Sequence, residues 1–455
     1  MTRSAPRGGA FASLVLAGAL VPLNSTMIAL ALSPIAHSFH VSVGGATWLV
    51  SAYLVAMAVV QPLGGRLGDL IGHRRAFLAG VAGFALFSAA AAVAQDFPFL
   101  VALRVAQALA GGTMGPNAAA LLRTATDSEN RGRAFGWFGT GMGLAAAVGP
   151  PLGGLLVGSV GWRTIFVVNL PLAAIAFFVA LWAIERDAPR ERRPRFDTPG
   201  AAGTTLVLAC FVAMLFLIPR ATSAAVASGM AFVIIGFLLV RRERRVNDPF
   251  LEVGLFRRRA YAAATATIFL HNLCMYSLLL LVPVLVERRL NLSASGAGAV
   301  VAALSVAMMA GSPAGGTMSD RRGRRFPVVI GSIAIAAGMA ALVAIVGTPS
   351  TASVAAGLAV VGLGVGIAGA SLQTTAVEAA PHRLAGAAAG LFMTARYAGG
   401  IAAAGLTAGA ADSGAFRSAV ITLLGAALFS LLTASGLAGS APQHVKAEDI
   451  EVVQL

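Results

Sequence analysis

The sequence predicts an all-α protein that crosses a membrane many times, built as two pseudo-symmetric six-helix bundles with a further helix pair inserted between them. Three observations predict it. Hydrophobic residues make up 58% of the chain and charged residues only 11%, less than half the charge of an ordinary soluble domain. The apolar residues fall in runs long enough to cross a hydrocarbon core, about 20 residues each. A pattern of glycines, acid and arginines in the first half returns in the second half at constant spacing.

In order along the chain, charged stretches part the apolar runs. Residues 1 to 10 form a polar N-terminus, and the first run, 11 to 35, follows Arg3 and Arg7. It contains Ala29-Leu30-Ala31, a spelling shared with signal-cleavage sites, yet it stays apolar for longer than a signal core and reads as a retained span. Runs at 46 to 65, 77 to 95, 99 to 122, 134 to 158 and 164 to 184 complete a first bundle over 11 to 184. A charge-rich linker, 185 to 199, leads into an inserted pair within 200 to 240, spanning 200 to 219 and 224 to 240, and a second linker, 241 to 261, leads out. Both linkers read as solvated connections. Six further runs, 262 to 286, 296 to 318, 327 to 346, 353 to 377, 386 to 410 and 416 to 438, form a second bundle over 262 to 438. The tail, 439 to 455, with Pro442, reads as a flexible end. The total is fourteen transmembrane helices.

The formal charge of +15 would suit nucleic acid if the arginines shared one soluble face. They lie between the apolar runs instead. Loops on the N-terminal side hold twenty-six of the thirty-three basic residues and the opposite loops five, while Arg104 and Arg396 fall inside helices. By the positive-inside rule both termini are cytoplasmic and the protein sits in the cytoplasmic membrane. Cys210 and Cys274 lie in apolar runs without Cys or His neighbours, so neither a disulfide framework nor a metal site is expected. No metalloprotease, nucleotide-loop or nucleophile-elbow motif occurs. The chain reads as no enzyme, without cofactor.

The repeat is specific. Gly64-Gly65-Arg66-Leu67-Gly68-Asp69-Leu70-Ile71-Gly72-His73-Arg74-Arg75 is echoed by Gly315-Gly316-Thr317-Met318-Ser319-Asp320-Arg321-Arg322-Gly323-Arg324-Arg325, with Gly65, Asp69 and Gly72 each 251 positions before Gly316, Asp320 and Gly323. In each copy small residues end a run, an acid follows one turn later, and a glycine turn opens into arginines. Gly65, Asp69, Gly72, Arg75, Gly316 and Asp320 form the candidate latch where two halves separate, its acids able to accept from helix N-termini or pair with arginine. Arg74 and Arg75 read as headgroup anchors. Duplicated halves meeting at a midplane cavity are the architecture of a secondary transporter, in which one half rocks on the other.

A guanidinium inside a lipid span costs about 2.5 kcal/mol or more unless it faces a polar cavity, so Arg104 is expected to point inward, with Gln107 one turn on. Arg396 poses the same puzzle in the second half. Gly149-Pro150 permits a bend, and Gly153 and Gly154 allow close approach of a neighbouring helix. Trp48, Tyr53, Gln61, Asn117, Asn272, Met275, Tyr276 and Gln373 are candidate path-lining residues.

The Asp69 stretch resembles the signature between helices 2 and 3 of the major facilitator superfamily. Arg104-Val105-Ala106-Gln107 is similar to that superfamily's RxxQ motif, although Ala108 stands where the motif prefers Gly. Gly149-Pro150-Pro151-Leu152-Gly153-Gly154 is similar to its antiporter motif. Trp162-Arg163-Thr164-Ile165-Phe166-Val167-Val168-Asn169-Leu170-Pro171, with Trp48, Tyr53, the inserted pair and Asp248-Pro249-Phe250-Leu251, resembles the fourteen-helix drug:proton antiporter family. The resemblance covers residues 11 to 438. It implies the major facilitator fold, export of drugs, antibiotics or secondary metabolites by alternating access, proton antiport, a latch at Asp69, and a coupling or substrate path through Arg104 and Gln107. A small molecule, protons and membrane lipid are the partners implied, with the protein acting as a monomer.

One departure matters. Where these antiporters carry an acid in the first helix, this chain has Asn24, and an amide binds no proton at working pH. None of the eighteen acids falls deep in a run. Proton coupling is therefore left to a latch acid such as Asp69, to His271, or to no group at all, in which case the substrate gradient drives transport. With Arg104 and Arg396 as the only intramembrane charges, an anionic or neutral substrate suits the cavity better than a dication. A facilitator or uptake symporter, and a sensor on a transporter fold, are the alternatives.

Overall fold

The computed structural model describes residues 8–126, 131–186, 197–217, 222–246, 249–381 and 385–437. These residues form fourteen long helices: α1 Gly8–Ser38, α2 Trp48–Ile71, α3 His73–Ala92, α4 Phe97–Ala125, α5 Arg131–Ser159, α6 Asn169–Ala183, α7 Thr198–Leu217, α8 Thr222–Glu243, α9 Arg259–Leu290, α10 Ala294–Arg322, α11 Arg325–Ile345, α12 Thr351–Glu378, α13 Ala385–Ser413 and α14 Phe416–Ala434. One-turn helices Val43–Ala46 and Thr164–Val167 precede α2 and α6. Thirteen stretches among the described residues are long and apolar enough to cross a bilayer.

Local chemistry sets the starts. Asp96 accepts from Phe99 N at 2.8 Å at the head of α4, and Ser293 accepts from Gly296 N at 3.3 Å at the head of α10. Ser350 and Ser353 form a reciprocal capping box on α12, giving otherwise orphaned N–H groups a partner at the apolar boundary. The second and tenth helices run past the glycines expected to end them. α2 continues through Gly64 and Gly65 to Ile71, and α10 through Gly315 and Gly316 to Arg322. Each breaks about two turns later, at Gly72 (φ 103°) and Gly323 (φ 80°), backbone angles that glycine alone adopts without strain.

The doubling is visible in the packing. In the first bundle α1 packs on α5 and α6, and α4 on α2 and α3; in the second α9 packs on α13 and α14, and α12 on α10 and α11. Small residues make these approaches close, as membrane helices require when apolar burial alone does not drive association. A Cβ on Gly315 would sit 2.1 Å from Ile367 O, and one on Gly362 2.0 Å from Leu304 O, so α10 and α12 meet backbone to backbone. The inserted helices pack chiefly on each other, and α7 also touches α2 and α13. Much of α8 faces outward, with Val233, Ile234, Phe237 and Leu238 exposed.

Candidate functional site

Two helix pairs join the bundles: α5 lies on α10, and α13 lies on α2. They are equivalent under the doubling, since α13 corresponds to α5 and α2 to α10. At the first junction a Cβ on Gly298 would fall 2.7 Å from Gly154 Cα, and Ser295 Oγ donates to Gly154 O at 3.2 Å. At the second, Thr394 Oγ1 donates to Ala58 O at 3.2 Å, and Gly400 abuts Leu54. The Gly-Pro motif of α5 thus has two working faces. Gly149 and Gly153 press on α1, where added Cβ atoms would come 1.8 Å from Thr26 Oγ1 and 3.0 Å from Met27 Cα, while Pro150 and Gly154 meet α10. Pro150 lies inside the helix, where it removes one backbone hydrogen bond and permits a bend.

Arg104 is fully buried on α4. Its Nη1 donates to Asn24 Oδ1 on α1 and to Gln107 Oε1 at 2.5 Å. Gln107 Nε2 donates in turn to Ser88 Oγ on α3 at 2.6 Å, and Asn169 Nδ2 of α6 reaches the same hydroxyl at 3.3 Å. The guanidinium stacks over the Tyr53 ring, 4.1 Å from its centroid, with the Phe166 ring at 5.8 Å. Such cation–π contacts suit a desolvated cation. The network leaves donors unspent. Arg104 Nε and Nη2, Asn24 Nδ2 and the Tyr53 hydroxyl are buried without a hydrogen-bond partner among the described residues.

Arg396 on α13 is half-buried and donates from Nε to Asn272 Oδ1 on α9 at 3.3 Å. It borders a narrow cleft between the bundles, whose walls include Ser25 and Thr26 from α1, Met275 and Tyr276 from α9, and Met308 from α10. Tyr53 lies within electrostatic reach of Tyr276 and Tyr397, and Tyr397 of Arg396. His271 is turned elsewhere. It is buried and bonds Ser332 on α11 through Nε2 at 2.9 Å.

The repeated turns anchor to their own bundles. A Cβ on Gly64 would lie 2.7 Å from Thr113 Cα and one on Gly315 2.1 Å from Ile367 O, so the first glycine of each pair carries the close approach. Gly65 has Pro116 at an ordinary 3.5 Å and Gly316 nothing within 4 Å. His73 Nδ1 and Asn117 Oδ1 are 2.8 Å apart, while Asn117 Nδ2 donates to Gly64 O at 2.7 Å. Asp69 and Asp320 occupy the last turns of α2 and α10, but their side chains lie outside the described residues. Arg75 is exposed at the start of α3. Arg74 departs from the headgroup-anchor expectation: its Nε and Nη2 donate to Ile184 O and Leu181 O at 2.9 and 2.7 Å, capping the carbonyl end of α6.

Sequence reasoning missed Ser88, Asn169 and Phe166 as neighbours of Arg104. Asn169 and Phe166 lie inside the quoted Trp162 motif, whose spacing was the available signal. That motif also ties the far ends of the first bundle together. Trp162 Nε1 donates to Ser38 Oγ at 3.1 Å, its ring packs on Phe39 and Phe166, and Arg163 Nη2 donates to Ala94 O at 3.3 Å.

A doubled helical bundle with polar residues gathered where its halves meet defines a multi-pass membrane transporter, not an enzyme. The chain belongs to the Major Facilitator Superfamily, whose family model matches residues 14–404. It is 33% identical over 397 residues to the MFS-type transporter YvkA of Bacillus subtilis (strain 168), covering 87% of this chain and 88% of that one. It is 34% identical to the tetracenomycin C resistance and export protein of Streptomyces glaucescens, covering 84% of this chain and 71% of that protein. It is 31% identical to the multidrug resistance protein Stp of Mycobacterium tuberculosis (strain ATCC 25618 / H37Rv), with the same coverage of 84% and 71%. A crystal structure of the peptide transporter POT in complex with sulfate superimposes with a TM-score of 0.71 at 17% identity, covering 95% of this chain and 96% of that one. That likeness establishes the fold.

Proposed function

We propose that this protein exports small drug-like or secondary-metabolite molecules across the cytoplasmic membrane by alternating access, as a fourteen-helix drug:proton antiporter. The observation that carries the reading is the junction itself. Two contacts, one on each of the equivalent helix pairs, Gly154 with Gly298 and Thr394 with Ala58, join the bundles, and a cleft of mixed lining bordered by Arg396 lies between the bundles. Contacts so close are made or lost as a unit, which is what a rocking carrier requires. The names of the tetracenomycin C and multidrug relatives support the direction of transport. With the arginine-rich loops in the cytoplasm, the contact between Gly158 and Ser295 lies at the external end of the α5–α10 junction.

Coupling to protons is part of this reading and falls to Asp69 at the cytoplasmic turn. Asn24 is committed to Arg104 and His271 to Ser332. A second reading, facilitated diffusion down the substrate gradient, is favoured by the same Asn24. Purified protein in liposomes separates them. Export that dissipates an imposed pH gradient, and stops in Asp69→Asn, supports antiport; equal flux without any pH gradient supports the facilitator. No difference in dye accumulation between cells with and without the gene removes the export reading.

A further inference from the structure

We infer that the cleft between the bundles binds amphipathic organic anions, with Arg396 holding the anionic group and Arg104 supplying a second fixed positive charge behind Tyr53. The inference rests on the transport reading only for what happens after binding. Its first support is Arg396, whose single hydrogen bond uses Nε and leaves both Nη groups for a ligand at the edge of the cleft. The same cleft is lined by Met275, Leu279, Met308 and Tyr276. One cation, a few hydroxyls (Ser25, Thr26 and Ser305) and an apolar remainder fit a ligand with one anionic end and an apolar body.

The second support is the imbalance around Arg104. Its unspent atoms, Nε and Nη2, share the edge of the guanidinium that gives parallel N–H···O bonds to a carboxylate. The Asn24 Nδ2 and Tyr53 hydroxyl, also unspent and buried, are donors as well. Among the described residues no carboxylate pairs with either arginine. Buried cations without counter-ions are costly, and an anionic ligand relieves that cost whereas a cationic one adds to it. Tyr276, on the lining of the cleft, adds an aromatic side chain for the apolar body of such a ligand.

The test uses two dyes with one aromatic framework and opposite charge. The full-length protein is placed in nanodiscs of zwitterionic lipid, and binding of fluorescein (an anion) and rhodamine 123 (a cation) is measured by anisotropy against empty nanodiscs. The expected result is fluorescein binding at least about tenfold tighter, as one charge-assisted hydrogen bond provides. In Arg396→Gln this preference collapses while rhodamine binding holds or improves, and in Arg396→Lys it is partly kept, which rules out misfolding as the cause. Rhodamine preferred, neither dye bound, or an unchanged ratio in Arg396→Gln would overturn the inference. Discrimination without flux in liposomes would leave the anion site standing and remove the transport reading instead.

Discussion

Replacing Arg104 by alanine separates a structural role from a transport role, because the stability terms at this site partly offset one another. Two hydrogen bonds from Nη1, to Asn24 and Gln107, contribute about 1.5–3 kcal/mol each as charge-assisted bonds. Stacking on Tyr53 at 4.1 Å adds about 1–2 kcal/mol for a desolvated pair. Against this stands the cost of a guanidinium inside a membrane span, about 2.5 kcal/mol at the least, raised by the two nitrogens left without partners. Arg104→Ala is therefore expected to lose a few kcal/mol of stability while still reaching the membrane and purifying as a monodisperse species. Transport of an anionic dye into liposomes is expected to fall to background, with Arg104→Lys recovering a fraction of it, since a lysine keeps the charge but not the fork. Wild-type flux in Arg104→Ala would refute the placement of this residue on the substrate path. A variant that fails to accumulate even at low temperature would show the guanidinium to be a structural pin.

Three further outcomes follow from the same geometry. Gly298→Val places a branched side chain where a Cβ would already lie 2.7 Å from Gly154 Cα; overpacking of about 1–3 kcal/mol shifts the carrier outward by roughly five- to a hundredfold, read as faster labelling of Thr26→Cys by an external, impermeant maleimide. Asn24→Asp sets a carboxylate against Arg104, neutralises the second positive centre, and is expected to narrow the fluorescein over rhodamine preference in the anisotropy assay. Asp197, ahead of α7, accepts from Arg242 and from Gly200 N and Phe250 N at 3.1 Å each, and the Arg242 hydrogen bond holds its carboxyl below the ordinary 3.8. Because that pKa is depressed on folding, its stabilisation is complete above about pH 4 and is lost as the pH falls through the folded value. Asp197→Asn is thus expected to lower the melting temperature at pH 7, by an amount that shrinks as the pH falls through the folded value.

Much of the architecture was legible because hydrocarbon length and charge are local properties. Fourteen apolar runs, two charged linkers and a repeat 251 residues apart needed no tertiary contact to be seen. The ends were legible less well. Glycines expected to stop α2 and α10 lie inside those helices, because Gly64 and Gly315 serve a neighbouring backbone while the chain turns at Gly72 and Gly323. A glycine's spelling is the same in either duty. Asp69 and Asp320 were readable as acids in last turns, but whether they latch the halves depends on side chains outside the described residues.

What the sequence determined by itself was that two guanidinium groups had to find protein within a lipid span, since exposing them to acyl chains is too costly. What it left to the tertiary structure was what they found. Arg104 meets Asn24 from eighty residues earlier in the chain, Arg396 meets Asn272 from 124 residues earlier, and neither partner is an acid. Hydrogen bonds and ring stacking act over a few ångströms, so only the packing of helices from distant parts of the chain decides which polar groups meet and which buried donors remain for a ligand.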